Sequence, residues 1–337
     1  VTALDLQQGP LLQACLYRCN LDLKPTLFLF GHFMLADIGS WHIIIDDFET
    51  CYRQFSRNEP LQLPEKGTSF KQWVEKLAAW GYSDEMKQQR PYWLLPERKY
   101  AAELPRDFPD GENLMSSSQS VYVQLDQQQT TILLDEVPKI TGAKIDAILL
   151  TSIVYAFKQS CRSNSLMIDL LGHGKEALFD DVDLSRTVGW FNTIYPAFLD
   201  YGNNSNPVAA IKAINEQLRA IPNGGIGYGV LRYLNQDQEL IEHFNQTPEP
   251  QVFFNYFGHD NQADLRVLRK VDGFGGYGLD HQTKRLRPLA VGVYIKEGVM
   301  AIRWEFSNTI YRVERIEQLA ADCKQCIVEI LNNYNKV

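Results

Sequence analysis

The sequence has 337 residues, of which 45% are apolar and 22% are charged, and its formal net charge is −8. This length is sufficient for one large domain or for two lobes of about 150 residues each. The acidic balance argues against a general nucleic-acid-binding protein, which needs a basic surface to displace counterions. No apolar run approaches the ~20 residues that a membrane span requires.

The six cysteines are too sparse for a disulfide scaffold, and their spacing is typical of thiols in a reducing, cytoplasmic compartment. The first ten residues lack the basic start and apolar middle of a signal peptide. Cys323 and Cys326 form a C-x-x-C inside a predicted helix, without the second ligand pair that structural zinc requires. We therefore predict a pair of core-facing or surface thiols and no metal site.

The N-terminal part of the chain combines strand and helix patterns. Two apolar runs at 11–17 and 26–30 predict strands, joined by a polar turn. From Trp41 onward the apolar spacing becomes helical, and further helices are predicted at 70–80 and 83–95.

Residues 104–118 contain two prolines, a glycine and three serines, with few apolar side chains. Such a composition is typical of a linker. We therefore predict an N-terminal lobe over residues 1–103, a linker over 104–119 and a C-terminal lobe over 120–337.

The C-terminal part alternates strands and helices without an internal repeat, which predicts a layered α/β lobe. The strands are predicted at 120–125, 166–171, 252–257, 290–296 and 299–306. The helices are predicted at 130–137, 144–160, 207–221 and 313–333.

Five segments carry unusual combinations of glycine, histidine and aromatic residues. In chain order they are H-F-M-L-A-D-I-G-S-W at 32–41, G-H-G-K-E at 172–176, D-D-V-D-L-S-R-T-V-G-W-F at 180–191, P-N-G-G-I-G-Y-G at 222–229 and F-N-Y-F-G at 254–258. They resemble, in the same order, the epimerization-domain patterns H-H-x-x-x-D-G-x-S-W, G-H-G-R-E, T-V-G-W-F, P-x-x-G-x-G-Y-G and F-N-Y-L-G. The chain thus resembles the epimerization type of the condensation-domain family of nonribosomal peptide synthetases.

The resemblance implies an α/β fold of two lobes like chloramphenicol acetyltransferase, set in a V around a central tunnel. A carrier (thiolation) protein inserts its phosphopantetheine arm into that tunnel, so we expect this partner-borne group and no bound cofactor. Family members usually have about a hundred residues before the point that Val1 occupies. We therefore expect an incomplete N-terminal lobe, either because the sequence is cropped or because the natural domain is shortened.

The positions that would move protons depart from the family pattern. Epimerization removes an α-proton on one face and returns it on the other, which requires two titratable groups. In the family these are the second histidine of H-H-x-x-x-D-G and the glutamate before G-H-G. Phe33 and Leu171 occupy those positions here, and neither side chain can exchange a proton. We expect both to fill the tunnel with apolar packing.

The remaining motif residues have mainly structural interpretations. We expect His32 to point away from the active position, although a one-residue shift with a bulge would place it there. We expect Asp37 to shape its loop through a hydrogen bond or salt bridge, and His173 to support its glycine turn. The glycines at 225, 227 and 229 follow a helix rather than a strand, which favours tight packing over a nucleotide loop.

The residues that the resemblance places along the tunnel, in contact with the thioester or pantetheine, are Trp190, Tyr228, Asn255 and Tyr256. The leading hypothesis is a catalytically inactive epimerization-like domain that docks a carrier protein or a trans-acting tailoring enzyme. The alternatives are an active epimerase of a carrier-bound aminoacyl or peptidyl thioester with a non-standard base, and a purely structural remnant.

Overall fold

The computed structural model describes residues 4–18, 25–96, 98, 103–204, 206–259 and 280–336. By their contacts these residues form two compact units. Unit 1 contains residues 4–80 and 173–193, and unit 2 contains residues 81–172, 194–259 and 280–336. Each unit is therefore assembled from separate stretches of the chain.

Unit 1 is built on an antiparallel pair of strands, β1 (Leu12–Tyr17) and β2 (Thr26–Gly31). Its helices are α1 (Ile38–Ser56) and α2 (Phe70–Trp80). The buried indole of Trp73 on α2 packs edge-on against the Phe179 ring, with 5.7 Å between their centroids. The 173–193 segment is thus held to α2 by aromatic packing.

Unit 2 contains a six-stranded mixed sheet in the order β3-β8-β7-β6-β4-β5. Its strands are β3 (Ser118–Gln124), β4 (Ser165–Gly172), β5 (Thr193–Asp200), β6 (Val252–His259), β7 (Leu289–Lys296) and β8 (Val299–Ser307). Strand β6 pairs in parallel with β4 and β7, whereas β8 pairs antiparallel with β3 and β7. Alternate residues of β7 are buried, as expected for a strand with one face on the core.

Unit 2 also contains helices, several of which contact this sheet. They are α3 (Asp84–Trp93), α4 (Gln127–Thr131), α5 (Val137–Thr141), α6 (Ile145–Cys161), α7 (Pro207–Arg219), α8 (Ile226–Gly229), α9 (Gln238–Gln246) and α10 (Val313–Asn333). A π-helical turn, Ile132–Glu136, joins α4 to α5. Helix α6 packs against α10, and its residues from Ala147 to Val154 are all buried. A helix that is apolar on every side is suited to such a central position.

The predicted elements agree with the structure where periodicity is strong, and the helices at 70–80 and 313–333 have the predicted bounds. Strand β5 was not predicted because Pro196 interrupts its pattern. It lies at the edge of the sheet, where a residue without an N–H is tolerated. Helix α9 was also missed, although Leu240 and Phe244 are buried at helical spacing.

The segment predicted as a linker, 104–119, is packed and hydrogen-bonded within unit 2. Leu104 is buried, and the Asp107 carboxylate forms a bidentate ion pair with Arg315 at 2.6 and 2.8 Å. The Glu112 carbonyl accepts a hydrogen bond from the Ser307 hydroxyl at 3.1 Å. Composition indicated a loop, and these tertiary contacts give that loop a fixed place. The predicted lobes 1–103 and 120–337 accordingly do not coincide with units 1 and 2.

Among the described residues, no single helix has the length and hydropathy needed to cross a bilayer. The helical stretches Gln127–Thr141 and Ile145–Cys161 have that length and hydropathy only when they are taken together, and the pair is bent by 100°.

Candidate functional site

Asp37 joins two sequence motifs within unit 1. Its Oδ1 accepts the Ser40 amide at 2.7 Å and caps helix α1, while its Oδ2 accepts the Phe191 amide at 3.1 Å. The side chain is buried, and both of its oxygens are used. The predicted loop-shaping hydrogen bonds of Asp37 are therefore present.

Ser40 adds a second connection to the same segment. Its hydroxyl donates to the Gly189 carbonyl at 2.8 Å and accepts from the Gly189 amide at 3.0 Å. A Cβ on Gly189 would lie 2.3 Å from the Phe70 ring, so only glycine fits. The T-V-G-W-F motif is thus fixed to the start of α1 by paired polar groups.

His32 and Phe33 follow the end of β2. The β1–β2 register is continuous over the described pairs, from Leu12↔Gly31 to Tyr17↔Thr26. The His32 Nδ1 accepts the Met34 amide at 3.2 Å. The imidazole therefore takes part in its own turn.

Phe33 is 66% exposed within this structure. Its ring contacts the Trp190 ring, with 4.0 Å between centroids. This exposure does not agree with the expected apolar packing of Phe33, which lies in the turn formed by residues 33–35. Trp190, which we expected along the tunnel, is half-buried beside it.

His173 and Lys175 hold the G-H-G turn of unit 1. The His173 Nδ1 accepts the Lys175 amide at 3.0 Å, and its Nε2 lies 3.1 Å from a Glu176 carboxylate oxygen. The Lys175 ammonium donates to the Leu184 and Thr187 carbonyls, both at 3.1 Å, and burial lowers its pKa. The His173 contacts are thus local to the turn, whereas Lys175 connects the turn to residues 184 and 187.

Unit 2 contains a pocket of about 270 Å³, which we call the Leu171 pocket. Its lining residues are Lys144, Asp146, Ala147, Leu150, Leu170, Leu171, Tyr195, Asn215, Leu218, Arg219, Ile221, Phe254, Asn255 and Tyr256. The pocket lies at the carboxyl end of strand β4, beside the middle of its parallel neighbour β6. Ligands commonly bind at the carboxyl ends of strands in α/β sheets. It brings together the predicted positions Leu171, Asn255 and Tyr256.

Asp146 is a carboxylate of the Leu171 pocket that the sequence analysis missed. It lies in the first turn of α6, and burial raises its pKa above the usual range, while the Lys144 charge opposes that change. One carboxylate oxygen, Oδ1, is buried and has no hydrogen-bond partner among the described residues. Burial and the Asp146 charge also raise the pKa of Tyr256. The pocket therefore retains a titratable group beside the aliphatic Leu171.

Tyr228 lies in the core of unit 2. It is not among the described residues that line the Leu171 pocket. It is 9% exposed and packs against the rings of Trp93 and Phe244, each with 5.4 Å between centroids. Its hydroxyl accepts a hydrogen bond from Arg232. The expectation that Tyr228 faces a ligand is therefore not met by this geometry.

The glycines beside Tyr228 serve close packing. Gly225 has φ +88°, and a Cβ on it would lie 2.1 Å from the Tyr195 ring. A Cβ on Gly227 would lie 2.6 Å from the Gln89 side-chain oxygen. The predicted packing role is thus present at Gly225 and Gly227, whereas a Cβ on Gly229 would meet no atom within 4 Å.

Cys323 and Cys326 are both buried in α10, and burial raises the pKa of each thiol, that of Cys326 to about 12. Of the two predicted arrangements, core-facing or surface thiols, this burial shows the core-facing one. The described residues contain no group of three metal-ligating side chains.

Comparisons with known proteins agree with this fold. The family model "Condensation domain" matches residues 2–336. One of the linear gramicidin synthase proteins of Brevibacillus parabrevis is 37% identical over 322 residues, which are 94% of this chain and 4% of that protein. The chain therefore spans only a small part of this relative.

Solved structures are similar along almost the whole chain. The epimerization domain from the third module of tyrocidine synthetase B has a TM-score of 0.88 and 29% identity, covering 100% of this chain and 75% of that one. The X-domain in complex with OxyB from teicoplanin biosynthesis has a TM-score of 0.70 and 14% identity, covering 98% and 72%. That second likeness concerns the fold alone.

The protein is therefore an α/β domain of the acyltransferase-like class found in peptide synthetases. It belongs to the condensation-domain family of nonribosomal peptide synthetases.

Proposed function

We propose that this chain is a catalytically silent, epimerization-like domain of a nonribosomal peptide synthetase. The observation that carries this proposal is the identity of residue 171. The resemblance implies a glutamate there, and Leu171 lines the pocket instead. An aliphatic side chain can neither remove nor return an α-proton.

A second departure from the family pattern also removes a group that could transfer a proton. The histidine expected at residue 33 is replaced by phenylalanine. A positioned acid or base typically contributes about 10²–10⁴-fold to a rate. Loss of both groups reduces inversion to the background rate, and the same histidine is required for condensation.

The hydrogen bonds that Asp37 and Ser40 retain support a role in which the folded domain binds a partner and catalyses no reaction. Asp37 and Ser40 keep their full set of contacts in unit 1. We infer that such a domain offers a docking surface, either to a carrier protein bearing phosphopantetheine or to a trans-acting tailoring enzyme. The X-domain that binds OxyB has the same fold, and at 14% identity it supports this only as an analogy of fold.

The direct test is α-proton exchange in deuterated water. A carrier protein is loaded in turn with several L-aminoacyl groups, and the tyrocidine synthetase B epimerization domain serves as the positive control. We expect deuterium incorporation equal to a no-domain blank for every group on which the control acts. Incorporation above that blank would contradict the proposal.

Docking is tested by retention of partners on the immobilised chain. The loaded carrier protein and the tailoring enzymes encoded beside the parent synthetase are offered separately. Retention of one of them supports the docking role. Failure to retain any of them would leave a structural remnant.

Asp146 favours a second candidate function, an active epimerase with a non-standard base. Its raised pKa brings it closer to the range in which a carboxyl group transfers protons near neutrality. This candidate predicts exchange by the wild type that Asp146→Asn abolishes. The matched control is Asp135→Asn, a carboxylate of the neighbouring π-helical turn outside the described lining of the Leu171 pocket.

A further inference from the structure

The Leu171 pocket contains polar groups that the surrounding protein leaves without hydrogen bonds. Most of its lining is aliphatic or aromatic, and its volume is about 270 Å³. At about 30 Å³ for a water molecule in the liquid, this volume corresponds to roughly nine waters. A group of the size of an amino-acid side chain therefore fits, and the polar groups decide which chemistry suits the pocket.

The pocket lies where strands β4 and β6 stop pairing. Their last described parallel pair is Leu170↔Phe254, although both strands continue beyond it. Leu171 and Asn255, the next residue on each strand, both line the pocket. The end of this pairing thus brings an aliphatic side chain and an amide side chain to the same cavity.

Asn215 on α7 is the most deeply buried of the polar residues in this lining. It is 7% exposed, and its side-chain amide has no hydrogen-bond partner among the described residues. Both polar atoms of this amide nevertheless retain surface that water can reach. A buried amide without a partner costs free energy, which a ligand with matching groups would offset.

Asn255 and Tyr256 on β6 add two further groups of this kind. Both residues are half-buried, and their side chains have no hydrogen-bond partner in the part of the chain that the structure describes. Their polar atoms also remain accessible to water. Amides and hydroxyls both donate and accept hydrogen bonds. The pocket therefore has three uncharged groups that suit a ligand with both a donor and an acceptor.

Charged residues of both signs also line the pocket. Lys144 and Arg219 are exposed, whereas Asp146 lies in the first turn of α6, where burial raises its pKa. An anionic ligand would be repelled by an ionised Asp146, and a cationic ligand by the two basic side chains. Either ligand would also lose its hydration in a largely apolar cavity. An uncharged polar ligand avoids both costs.

We propose that the Leu171 pocket binds a primary carboxamide on a short apolar stem, the chemistry of a glutamine side chain. The carboxamide nitrogen donates and its oxygen accepts within the set formed by Asn215, Asn255 and Tyr256. The methylene groups lie against the aliphatic part of the lining. The group reaches the pocket either on a free amino acid or on an aminoacyl carrier protein, and the second source rests on the carrier docking proposed above.

Ligand titration of the whole chain, followed by NMR, tests the carboxamide. The compounds are the N-acetyl methylamides of glutamine, glutamate, norleucine and lysine, which share one backbone and differ at the end of the side chain. We expect saturable binding of the glutamine compound and at least about fivefold weaker binding of the other three, because each of them leaves polar groups of the pocket unpaired. Absence of saturable binding of the glutamine compound, or an equal affinity for any other compound, would overturn the proposal.

The part played by Asn215 is tested by Asn215→Leu, which replaces the amide with an aliphatic group of similar size. Because the amide has no partner among the described residues, the variant should fold and should bind the norleucine compound more tightly than the glutamine compound. The matched control is Asn332→Leu, an exposed asparagine of α10 outside the described lining. A folded Asn215→Leu that keeps the original preference, or a control that reverses it, would overturn the assignment.

Tyr256→Phe gives a measurement that does not depend on the folding of Asn215→Leu. It removes one oxygen atom from the pocket. We expect the ratio of the glutamine affinity to the norleucine affinity to fall about threefold or more, because one hydrogen bond is lost. An unchanged ratio would overturn the proposed set of contacts.

Loaded carrier proteins distinguish the two sources of the carboxamide. Their phosphopantetheine is joined through a stable amide to a glutaminyl or a norleucyl group, and their retention on the immobilised chain is compared. Tighter retention of the glutaminyl carrier assigns the pocket to the carrier-borne group, whereas preference among the free compounds alone assigns it to a free ligand. Equal retention of both carriers, without any preference among the free compounds, would overturn the carboxamide site and leave carrier docking intact. The proposed catalytic silence is tested separately, by α-proton exchange.

Discussion

Asp37 and Asp146 differ in how fully their carboxylate oxygens are hydrogen-bonded. Asp37 in unit 1 is buried and accepts a backbone hydrogen bond at each carboxylate oxygen. Asp146 in unit 2 lines a pocket and leaves its Oδ1 without a partner among the described residues. A fully paired carboxylate stabilises a fold, whereas an incompletely paired one costs stability and stays available to a ligand or a proton.

The two motifs that contain these regions differ in what they have kept. The motif around Asp37 is kept with its connections to Gly189 and Phe191. The motif around the Leu171 pocket is kept in its backbone, while its expected acid is absent. The conserved-looking motifs therefore account for architecture in this chain, and the proposal about catalysis rests on residues 33 and 171.

Removal of Asp37 is expected to have the largest effect on stability. Hydrogen bonds to a charged group contribute about 1.5–3 kcal/mol each, so Asp37→Ala should lower the free energy of unfolding by about 4 kcal/mol. Denaturant unfolding of the whole chain measures the change. Asp37→Asn keeps one capping acceptor and should lose clearly less. If the alanine variant lost less than about 1 kcal/mol, Asp37 would not be the stabilising group that its hydrogen bonds indicate.

Asp169 provides an intermediate case, because it is buried on β4 and paired with Arg287 at 2.7 Å. Burial outweighs the nearby guanidinium and raises its pKa from 3.8 to about 6. The folded state therefore binds the proton more tightly than the unfolded state, and this contribution to stability is lost as pH rises from about 4 to about 6.

The expected size of that loss is up to about 3 kcal/mol, since one pKa unit corresponds to about 1.4 kcal/mol. It is measured as the slope of unfolding free energy against pH, relative to Asp169→Asn. The slope is compared rather than the absolute stability, because the variant also leaves Arg287 without its carboxylate. Parallel pH profiles for the two proteins would contradict the raised pKa.

Neutralising Asp146 is expected to have a smaller effect of opposite sign. Asp146→Asn removes a carboxylate that burial disfavours, so at neutral pH the free energy of unfolding should rise by about 1 kcal/mol. The wild type should approach the variant as the pH is lowered, because protonation discharges the carboxylate. A destabilised variant would show that Asp146 is paired in the way that Asp37 is.

Phe33 should have the smallest effect. Its ring is largely exposed and contacts Trp190 from one side. Phe33→Ala should therefore lower the free energy of unfolding by about 0.5 kcal/mol, the lower end for an aromatic pair. Thermal unfolding resolves such a change when the two proteins are compared side by side. A loss above about 2 kcal/mol would place Phe33 in a packed core.

The sequence predicted the elements whose pattern is local. Helix α10 and strand β7 follow their apolar periodicity, and the aspartate cap of α1 precedes a regular helix. Strand β5 was missed because its tolerance of Pro196 depends on its place at the sheet edge, which no local pattern reveals.

The site was predicted in part for the same reason. Leu171, Asn255 and Tyr256 lie together because the family motifs fix the end of β4 and the middle of β6. Asp146 was missed because a single acid in an apolar helix is ambiguous until its surroundings are known. Tyr228 was assigned to the tunnel, whereas aromatic packing holds it in the core.

The central claim is that the silence of this domain comes from residues 33 and 171, and restoring them tests it most directly. The wild type and the double variant F33H/L171E are compared for α-proton exchange on the same loaded carrier protein in deuterated water. We predict exchange above the blank for the double variant only. Exchange by the wild type equal to that of the double variant would contradict the claim, as would a well-folded double variant that remains at the level of the blank.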